Sequence, residues 1–174
     1  LLTGIVYPVF IYLIANTIFP EKSTGSLVKI NEKIIGSELI GQKFESKKYF
    51  KSRPSAVDYQ PMPSGGSNLA PTSQILKARI DSFRDAYIVW NELPENTDVP
   101  PDAVFSSGSR IDPHISPINA LLQSERISKE RNFDVNKRKQ LIDLINRLTE
   151  NPQYGFLGEP RINVLKINID LDKL

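Results

Sequence analysis

The chain has 174 residues, of which 40% are hydrophobic and 24% are charged, proportions typical of a folded domain and not of a disordered chain. Its formal net charge is +2, and its 22 basic residues are scattered among 20 acidic ones, which argues against a nucleic-acid-binding protein. The sequence contains no cysteine, so disulfides, thiolate metal sites and a cysteine nucleophile are excluded.

Residues 1–19 form an uncharged, apolar run without a polar stripe. A helix of this length would extend about 28 Å, close to the roughly 30 Å hydrocarbon core of a bilayer. This predicts a transmembrane anchor helix over residues 1–20, followed by a single α+β domain over residues 21–174. A cleavable signal segment and a buried helix of a soluble protein are the alternatives. The flanking charges in this sequence do not give the orientation of the anchor.

Three short runs predict β-structure in the domain. Residues 26–40 predict a hairpin, because two β-prone runs flank a possible turn at Asn31-Glu32. Residues 103–105 predict a short strand. The alternation of Leu165, Ile167, Ile169 and Leu171 with polar residues predicts a half-buried strand at the end of the chain.

Three helices are predicted from capping residues and apolar spacing. They run from Thr72 or Ser73 to about Glu92, from Ser116 to about Arg131, and from Asp134 to the stop at Asn151-Pro152. The expected inward residues are Leu76, Ile80, Phe83, Tyr87 and Trp90 in the first helix, Ile118, Leu121 and Leu122 in the second, and Leu141, Leu144, Ile145 and Leu148 in the third. Together these elements give one α+β domain.

Residues 44–71 show neither helical nor strand periodicity, so we predict a long loop of defined structure. Pro54, Pro61, Pro63 and Pro71 favour extended or turn geometry in the residues before them. Phe44, Tyr49, Phe50 and Tyr59 supply apolar anchors that a disordered segment would lack.

Two features of this loop are typical of ligand contacts. The run Ser64-Gly65-Gly66-Ser67-Asn68 can expose backbone N–H groups that hold an anion, or it can be a tight turn that positions Tyr59 and Leu69. The Arg53 guanidinium can clamp a carboxylate or phosphate, or it can pair with a carboxylate of its own domain.

Catalytic machinery is not predicted. His114 is the only histidine, and a metal site would need further ligands, so we expect it to be structural, in the turn that enters the helix at Ser116. The sequence has no Gly-x-Ser-x-Gly elbow, no P-loop and no Asp-Lys-Thr-Gly-Thr motif, the phosphorylation motif of P-type pumps. The dispersed carboxylates indicate solvated helix faces.

The loop also carries a family resemblance. The motifs are Tyr49-Phe50-x-x-Arg53-Pro54-Ser55-Ala56, Tyr59, Ser64-Gly65-Gly66-Ser67-Asn68-Leu69, Gly41-Gln42, Asp112-Pro113-x-Ile115-Ser116-Pro117 and Val164-Leu165-x-Ile167-Asn168-x-x-Leu171-Asp172. In this order they resemble the C subunit of the Kdp potassium-transporting P-type ATPase. The resemblance covers nearly the whole chain.

The resemblance implies a non-catalytic accessory subunit of an ATP-driven potassium import complex. Its partners would be the channel-like A subunit, the P-type ATPase B subunit and the small F subunit. The chain would be a single-pass protein of the inner membrane with its domain outside the cytoplasm. It would carry no cofactor of its own, because the partner subunits handle ATP and potassium.

The family has also been described as a catalytic chaperone that raises the ATP affinity of the B subunit. Cytoplasmic ATP cannot meet an extracytoplasmic loop, so we favour bracing of the assembly and keep the ATP role as a second option. The expected interface or ligand residues are Tyr49, Phe50, Arg53, Pro54, Ser55, Tyr59, Ser64, Gly65, Gly66, Ser67 and Asn68. The rival hypotheses are a membrane-anchored hydrolase that uses His114 and an anion-binding module.

Overall fold

A computed structural model of the chain describes residues 1–60, 62 and 66–174. The chain separates into two units, Leu1–Ile40 and Gly41–Leu174. The predicted division after residue 20 stays a prediction.

The first unit begins with helical structure and ends in a hairpin. A π-helical turn, Leu2–Val6, leads into α1, Tyr7–Ile18, and a short α2, Pro20–Ser23. Strands β1, Leu27–Ile30, and β2, Lys33–Ser37, pair antiparallel, which confirms the predicted hairpin. Among the described residues, none of the helices combines the length and the apolar character needed to cross a membrane. The predicted transmembrane helix is therefore not shown, because its apolar run is divided between the π-helical turn and α1.

The second unit contains five helices and two short strands in the part of the chain that the structure describes. They are α3, Gln74–Asn91; α4, Pro101–Val104; β3, His114–Ile115; α5, Pro117–Glu130; α6, Val135–Leu148; β4, Ile162–Asn163; and α7, Val164–Leu171. Strands β3 and β4 pair antiparallel, with His114 opposite Asn163 and Ile115 opposite Ile162. The mixture of helix and antiparallel strand confirms the α+β class.

The helix starts follow the predicted caps. The side chains of Ser73, Ser116 and Asp134 each accept a hydrogen bond from a backbone N–H in the first turn of α3, α5 and α6. Such a cap satisfies a donor that the helix leaves unpaired and contributes about 1 kcal/mol. Pro117 follows Ser116 directly and fixes the first helical φ angle.

The hydrophobic core joins the long loop to the C-terminal helices. Phe50 is fully buried among residues of α5, α6, β4 and α7. Leu141, Leu144 and Ile145 are buried as predicted. No helix or strand occurs among the described residues between 41 and 73, so the predicted long loop is confirmed, with Phe50 as its deepest anchor.

The prediction for the inward face of α5 is wrong for Ile118 and Leu121, whereas Leu122 is half-buried. Ile118 and Leu121 are 63% and 42% exposed, whereas Asn119, Gln123 and Arg126 are buried. Periodicity places apolar side chains inward, but these three polar side chains find hydrogen-bond partners in the interior and are therefore tolerated there.

The predicted terminal strand is also wrong, because residues 164–171 form α7. Its buried residues are Val164, Leu165, Ile167, Asn168 and Leu171, a spacing that gives one helical face. The Asn163 side chain caps the helix by accepting from the Lys166 backbone N–H at 3.2 Å. The apolar residues of this segment fit both the alternation of a strand and the spacing of a helix. The helix forms because Asn163 caps it and its apolar face is buried.

The predicted strand over residues 103–105 is a third error. Residues Pro101–Val104 form the short helix α4, in which Pro101 takes the first position and Asp102 lies in the first turn. Proline is favoured at that position because its missing N–H would be unpaired in any case.

Candidate functional site

The backbone of residues 47–52, which we name the clamped segment, is held by side chains and not by a neighbouring strand. Asn168 accepts from the Phe50 N–H at 2.8 Å and donates to the Phe50 carbonyl at 2.9 Å. Gln123 accepts from the Lys51 N–H at 2.7 Å and donates to the Lys51 carbonyl at 3.2 Å. Two side-chain amides thus replace the pairing that a β-ladder would supply.

Arg126 holds the same segment from inside the protein. Its side chain is fully buried, and its guanidinium donates to the carbonyl oxygens of Lys47 and Tyr49 and to Asn91 Oδ1, the last at 2.9 Å. Burial lowers the pKa of Arg126 to about 10. Its acceptors among the described residues are neutral carbonyl and amide oxygens, so the buried charge depends on hydrogen bonds.

Arg131 fixes the outer end of the segment. Its Nε donates to the Lys48 carbonyl at 2.8 Å, and its Nη2 pairs with Asp172 at 2.7 Å. The guanidinium lies 4.9 Å from the Tyr49 ring, and the Tyr49 hydroxyl donates to Asp172 at 3.1 Å. Burial and Asp172 raise the pKa of Tyr49. Tyr49 and Phe50, both predicted as interface residues, therefore anchor the loop within the domain.

Arg53 pairs with a carboxylate of its own domain, which was one of the two predicted roles. Its Nη1 lies 3.2 Å from Asp112 Oδ2. His114 Nδ1 lies 3.0 Å from Asp112 Oδ1, which also accepts from the His114 backbone N–H. Burial alone would raise the pKa of Asp112, but the hydrogen bonds from His114 and the charge of Arg53 outweigh it and lower that pKa.

The loop turns back on itself after Pro54. The Ser55 hydroxyl accepts from the Tyr59 N–H at 2.9 Å, and the Tyr59 hydroxyl donates to the Arg53 carbonyl at 2.5 Å. Burial raises the pKa of Tyr59 to about 12, so the phenol is a neutral donor at physiological pH. This turn brings Arg53, Pro54, Ser55 and Tyr59 together.

The glycine-rich run is only partly described. Ser64 and Gly65 lie outside the described residues, so the anion nest stays a prediction. The Gly66 carbonyl accepts from Arg110 Nη2. Ser67 and Asn68 are exposed.

A cleft of about 190 Å³, which we name the Trp90 cleft, lies between the loop and α3. The residues from the loop are Lys43, Lys51, Ser52, Pro54, Ser55, Asp58 and Tyr59, and those from α3 include Phe83, Tyr87 and Trp90. Burial and Asp102 raise the pKa of Tyr87, whose hydroxyl donates to Asn119 Oδ1 at 2.8 Å. The lining of this cleft therefore includes four aromatic residues and two lysines.

A larger cleft of about 730 Å³, which we name the His114 cleft, has Arg53, Asp112 and His114 on one side. Its other side is the excursion over residues 150–161, which we name the 150–161 hairpin. Backbone hydrogen bonds and a 3.0 Å ion pair join Glu150 to Arg161 at the base of the hairpin. Tyr154 and Phe156 at its tip are 87% and 76% exposed.

The described residues do not assemble the groups that metal or hydrolytic chemistry needs. Among them, no cluster of three or more histidine or carboxylate side chains could hold a metal ion. In the described part of the chain the His114 ring hydrogen-bonds only to Asp112, and the Ser116 hydroxyl donates to Asp102 at 2.8 Å. This geometry gives the hydrolase hypothesis no support.

Sequence analysis missed the residues that hold the clamped segment: Gln123, Arg126, Arg131 and Asn168. It also missed Asn91, which accepts a hydrogen bond from Arg126. A signal was present in α5, because Asn119, Gln123 and Arg126 lie four and three residues apart and share one helical face. A polar stripe opposite exposed Ile118 and Leu121 is typical of a helix that binds backbone in the interior.

Fold and site together define a small α+β domain with a rigid, side-chain-clamped loop, preceded in the sequence by an apolar N-terminal segment. The profile of the family described as "K+-transporting ATPase, c chain" matches residues 1–173. The chain is 46% identical to the potassium-transporting ATPase KdpC subunit of Methylococcus capsulatus, over all of this chain and 91% of that protein. It is 45% identical to the subunit of that name from Leptospira interrogans, over 99% and 86% of the two chains.

The chain therefore belongs to the KdpC family, the c chain of K⁺-transporting ATPases. The predicted family resemblance is confirmed, and with it an accessory role in potassium import as a subunit of a membrane-associated transporter complex.

Proposed function

We propose that the chain is a non-catalytic subunit that braces an ATP-driven potassium importer from the extracytoplasmic side. Its partners are a channel-like A subunit, a P-type ATPase B subunit and a small F subunit. These partners handle ATP and potassium, and the chain carries no cofactor of its own. Family membership supports the complex, and the geometry of the α+β domain supports the bracing role.

The observation that carries the proposal is the 150–161 hairpin. Tyr154, Phe156 and Leu157 expose apolar surface at its tip, although the hairpin is joined firmly at its base. Large aromatic side chains on a rigid support are typical of the anchors that dominate protein–protein interfaces. The tip therefore docks into an apolar recess of a partner subunit.

The clamped segment serves the same purpose. Loops on a rigid scaffold carry recognition, and here four polar side chains fix the loop backbone before any partner binds. A loop that is already ordered loses less conformational entropy on association. The surface beyond it, at Pro54, Ser55, Gly66, Ser67 and Asn68, forms a second contact.

Residues 1–19 attach the chain to the bilayer. The segment carries no charged residue, and the helices Leu2–Val6 and Tyr7–Ile18 bury none of their side chains within the chain. Apolar side chains that the protein itself leaves uncovered favour a lipid environment or the helices of partner subunits. We propose single-pass attachment with the α+β domain outside the cytoplasm.

The test is complementation of a strain of the source organism that lacks this chain, grown at low potassium. We expect the wild-type chain and a His114→Gln variant to restore growth equally, because the proposed role needs no catalytic histidine. Growth that depends on His114 would contradict the non-catalytic role.

A kinetic measurement separates bracing from the catalytic-chaperone option. If the chain braces the complex, fewer intact complexes should be recovered when the chain is omitted. The intact complexes that are recovered should have an unchanged KM for ATP. A higher KM for ATP in those assemblies would instead support the chaperone role.

A further inference from the structure

The residues that line the Trp90 cleft carry a net charge of +1. Its lining includes two ammonium groups, those of Lys43 and Lys51, and one carboxylate, that of Asp58. Lys43 is engaged, because its Nζ lies 3.0 Å from Asp58 and 3.1 Å from Glu45. Lys51 lies outside both of these ion pairs.

Lys51 forms no ion pair with any carboxylate of the described residues. Its Nζ lies 4.6 Å from the centre of the Trp90 ring, a cation–π contact that leaves ammonium protons free to bind an acceptor. Lys51 is exposed as a residue, but partial burial of its ammonium and the charges of Arg126 and Lys43 lower its pKa, whereas Glu45 raises it. An anion beside this ammonium would offset the lowering of the pKa.

The guanidinium of Arg126, whose charge acts on Lys51, is also positive. Arg126 is fully buried and donates only to neutral oxygens among the described residues. The nearby carboxylates are occupied elsewhere, since Glu92 pairs with Lys47 and Lys129, and Glu130 pairs with Lys47. At Lys51 the positive charges of Arg126 and Lys43 outweigh the charge of Glu45, so the field at this ammonium favours an anion.

Size and lining select the kind of anion. At about 190 Å³ the cleft is smaller than the roughly 300–1,000 Å³ of sites that take drug-sized ligands, so its size suits a small anion. The walls from Tyr59, Phe83 and Tyr87 suit a short apolar stem.

We infer that the Trp90 cleft binds a carboxylate beside Lys51, supplied by an acidic side chain of a partner subunit. The choice of source rests on the proposed function, whereas the carboxylate site itself does not. An aspartate or glutamate side chain has both the charge and the short apolar stem that the cleft accepts.

The site can be tested on the full chain, because Trp90 is its only tryptophan. Tryptophan fluorescence is followed while sodium acetate replaces sodium chloride at constant ionic strength. We expect a saturable change in the wild type and in Lys51→Arg. In Lys51→Gln the apparent affinity should fall about tenfold or more, the change that about 1.4 kcal/mol produces.

Lys48→Gln is the matched control, because Lys48 is an exposed neighbour whose hydrogen bond to Arg131 uses its backbone carbonyl. It should behave as the wild type. Circular dichroism of every variant excludes unfolding as the cause of a change. No response of the wild type to acetate, or an equal response of Lys51→Gln, would overturn the site.

The source of the carboxylate is tested in the assembled transporter. Retention of Lys51→Gln in the purified complex is compared with that of Lys48→Gln and the wild type. We expect a selective loss of Lys51→Gln, and equal retention would overturn the assignment to a partner side chain. Absence of the wild-type chain from the complex would instead count against the proposed function, and the fluorescence result would stand.

Discussion

Asn168 and Phe50 form a reciprocal pair across 118 residues of sequence. The Asn168 amide accepts from the Phe50 N–H at 2.8 Å and donates to the Phe50 carbonyl at 2.9 Å, and both residues are buried. This pair fixes the loop residue that enters the core deepest. The position of the loop surface therefore depends on α7, at the far end of the chain.

Removing the Asn168 amide should destabilise the domain strongly. In Asn168→Ala the buried N–H and C=O of Phe50 lose their partners, and we expect the free energy of unfolding to fall by about 2–4 kcal/mol. Urea unfolding followed by circular dichroism measures this change. Asn146→Ala, at an exposed position of α6, is the control and should change it by less than about 0.5 kcal/mol. Equal midpoints for the two variants would show that the pair does not hold the loop.

Gly41 is required by a close approach of two backbone segments. Its N–H donates to the Ile111 carbonyl at 2.6 Å, and a Cβ at this position would lie 2.7 Å from the Asp112 carbonyl oxygen. We expect Gly41→Ala to lower the free energy of unfolding by about 1–3 kcal/mol, because backbone must move. Gly108→Ala is the matched control, since a Cβ added there would meet nothing within 4 Å beyond its chain neighbours. Thermal unfolding of both variants decides the point, and a Gly41→Ala protein as stable as Gly108→Ala contradicts it.

The carboxylate of Asp112 should make the free energy of unfolding depend on pH in the acidic range. Its folded pKa lies below its ordinary value of 3.8, so the unfolded state binds a proton more readily and stability rises with pH across that window. Near neutral pH we expect the wild type to exceed Asp112→Asn by about 1–3 kcal/mol, the contribution of hydrogen bonds to a charged group.

The difference in the free energy of unfolding between the wild type and Asp112→Asn shows the direction of the pH dependence. It should stay constant above about pH 5 and shrink as the pH falls below about 4, because the wild-type carboxyl then becomes protonated. Urea unfolding over this pH range measures it. A difference that does not vary with pH would mean that the charge of Asp112 is not what stabilises the cluster with Arg53 and His114.

The 150–161 hairpin should matter for association and not for folding. Tyr154 has a positive φ of 54°, so asparagine is the suitable replacement there. We expect Tyr154→Asn with Phe156→Ser to leave the free energy of unfolding within about 0.5 kcal/mol. Binding to the transporter should weaken about 30-fold or more, as for the loss of an interface anchor worth about 2 kcal/mol.

The control for the hairpin is Val135→Ser, an equally exposed apolar residue at the start of α6. This substitution should change neither the free energy of unfolding nor the binding to the transporter. Quantitative co-purification with the transporter subunits compares the three proteins. Full retention of the double variant would remove the hairpin tip from the interface.

Local signals in the sequence were sufficient for the helix starts. Ser73, Ser116 and Asp134 cap their helices through contacts that span three residues, so neighbouring sequence determines them. The buried stripe of α6 was predictable for the same reason, since Leu141, Leu144 and Ile145 follow simple periodicity.

The polar face of α5 is visible in the local sequence, but the backbone that it binds could not be predicted, because the two lie far apart in the chain. Gln123 and Asn168 are buried only because the backbone of Lys51 and Phe50 lies opposite them. A rule that places apolar residues inward assigns Ile118 and Leu121 to the core, and here both are exposed. The candidate residues Tyr49 and Phe50 were found from sequence, but their role in anchoring the loop required the fold.

The most direct test of the proposed function is purification of the tagged full chain from mild-detergent membranes of potassium-starved cells, followed by mass spectrometry. We predict that a P-type ATPase subunit and a channel-like subunit co-purify in fixed proportion to the chain. Purification of the chain without either subunit would contradict its role as a brace of the potassium transporter.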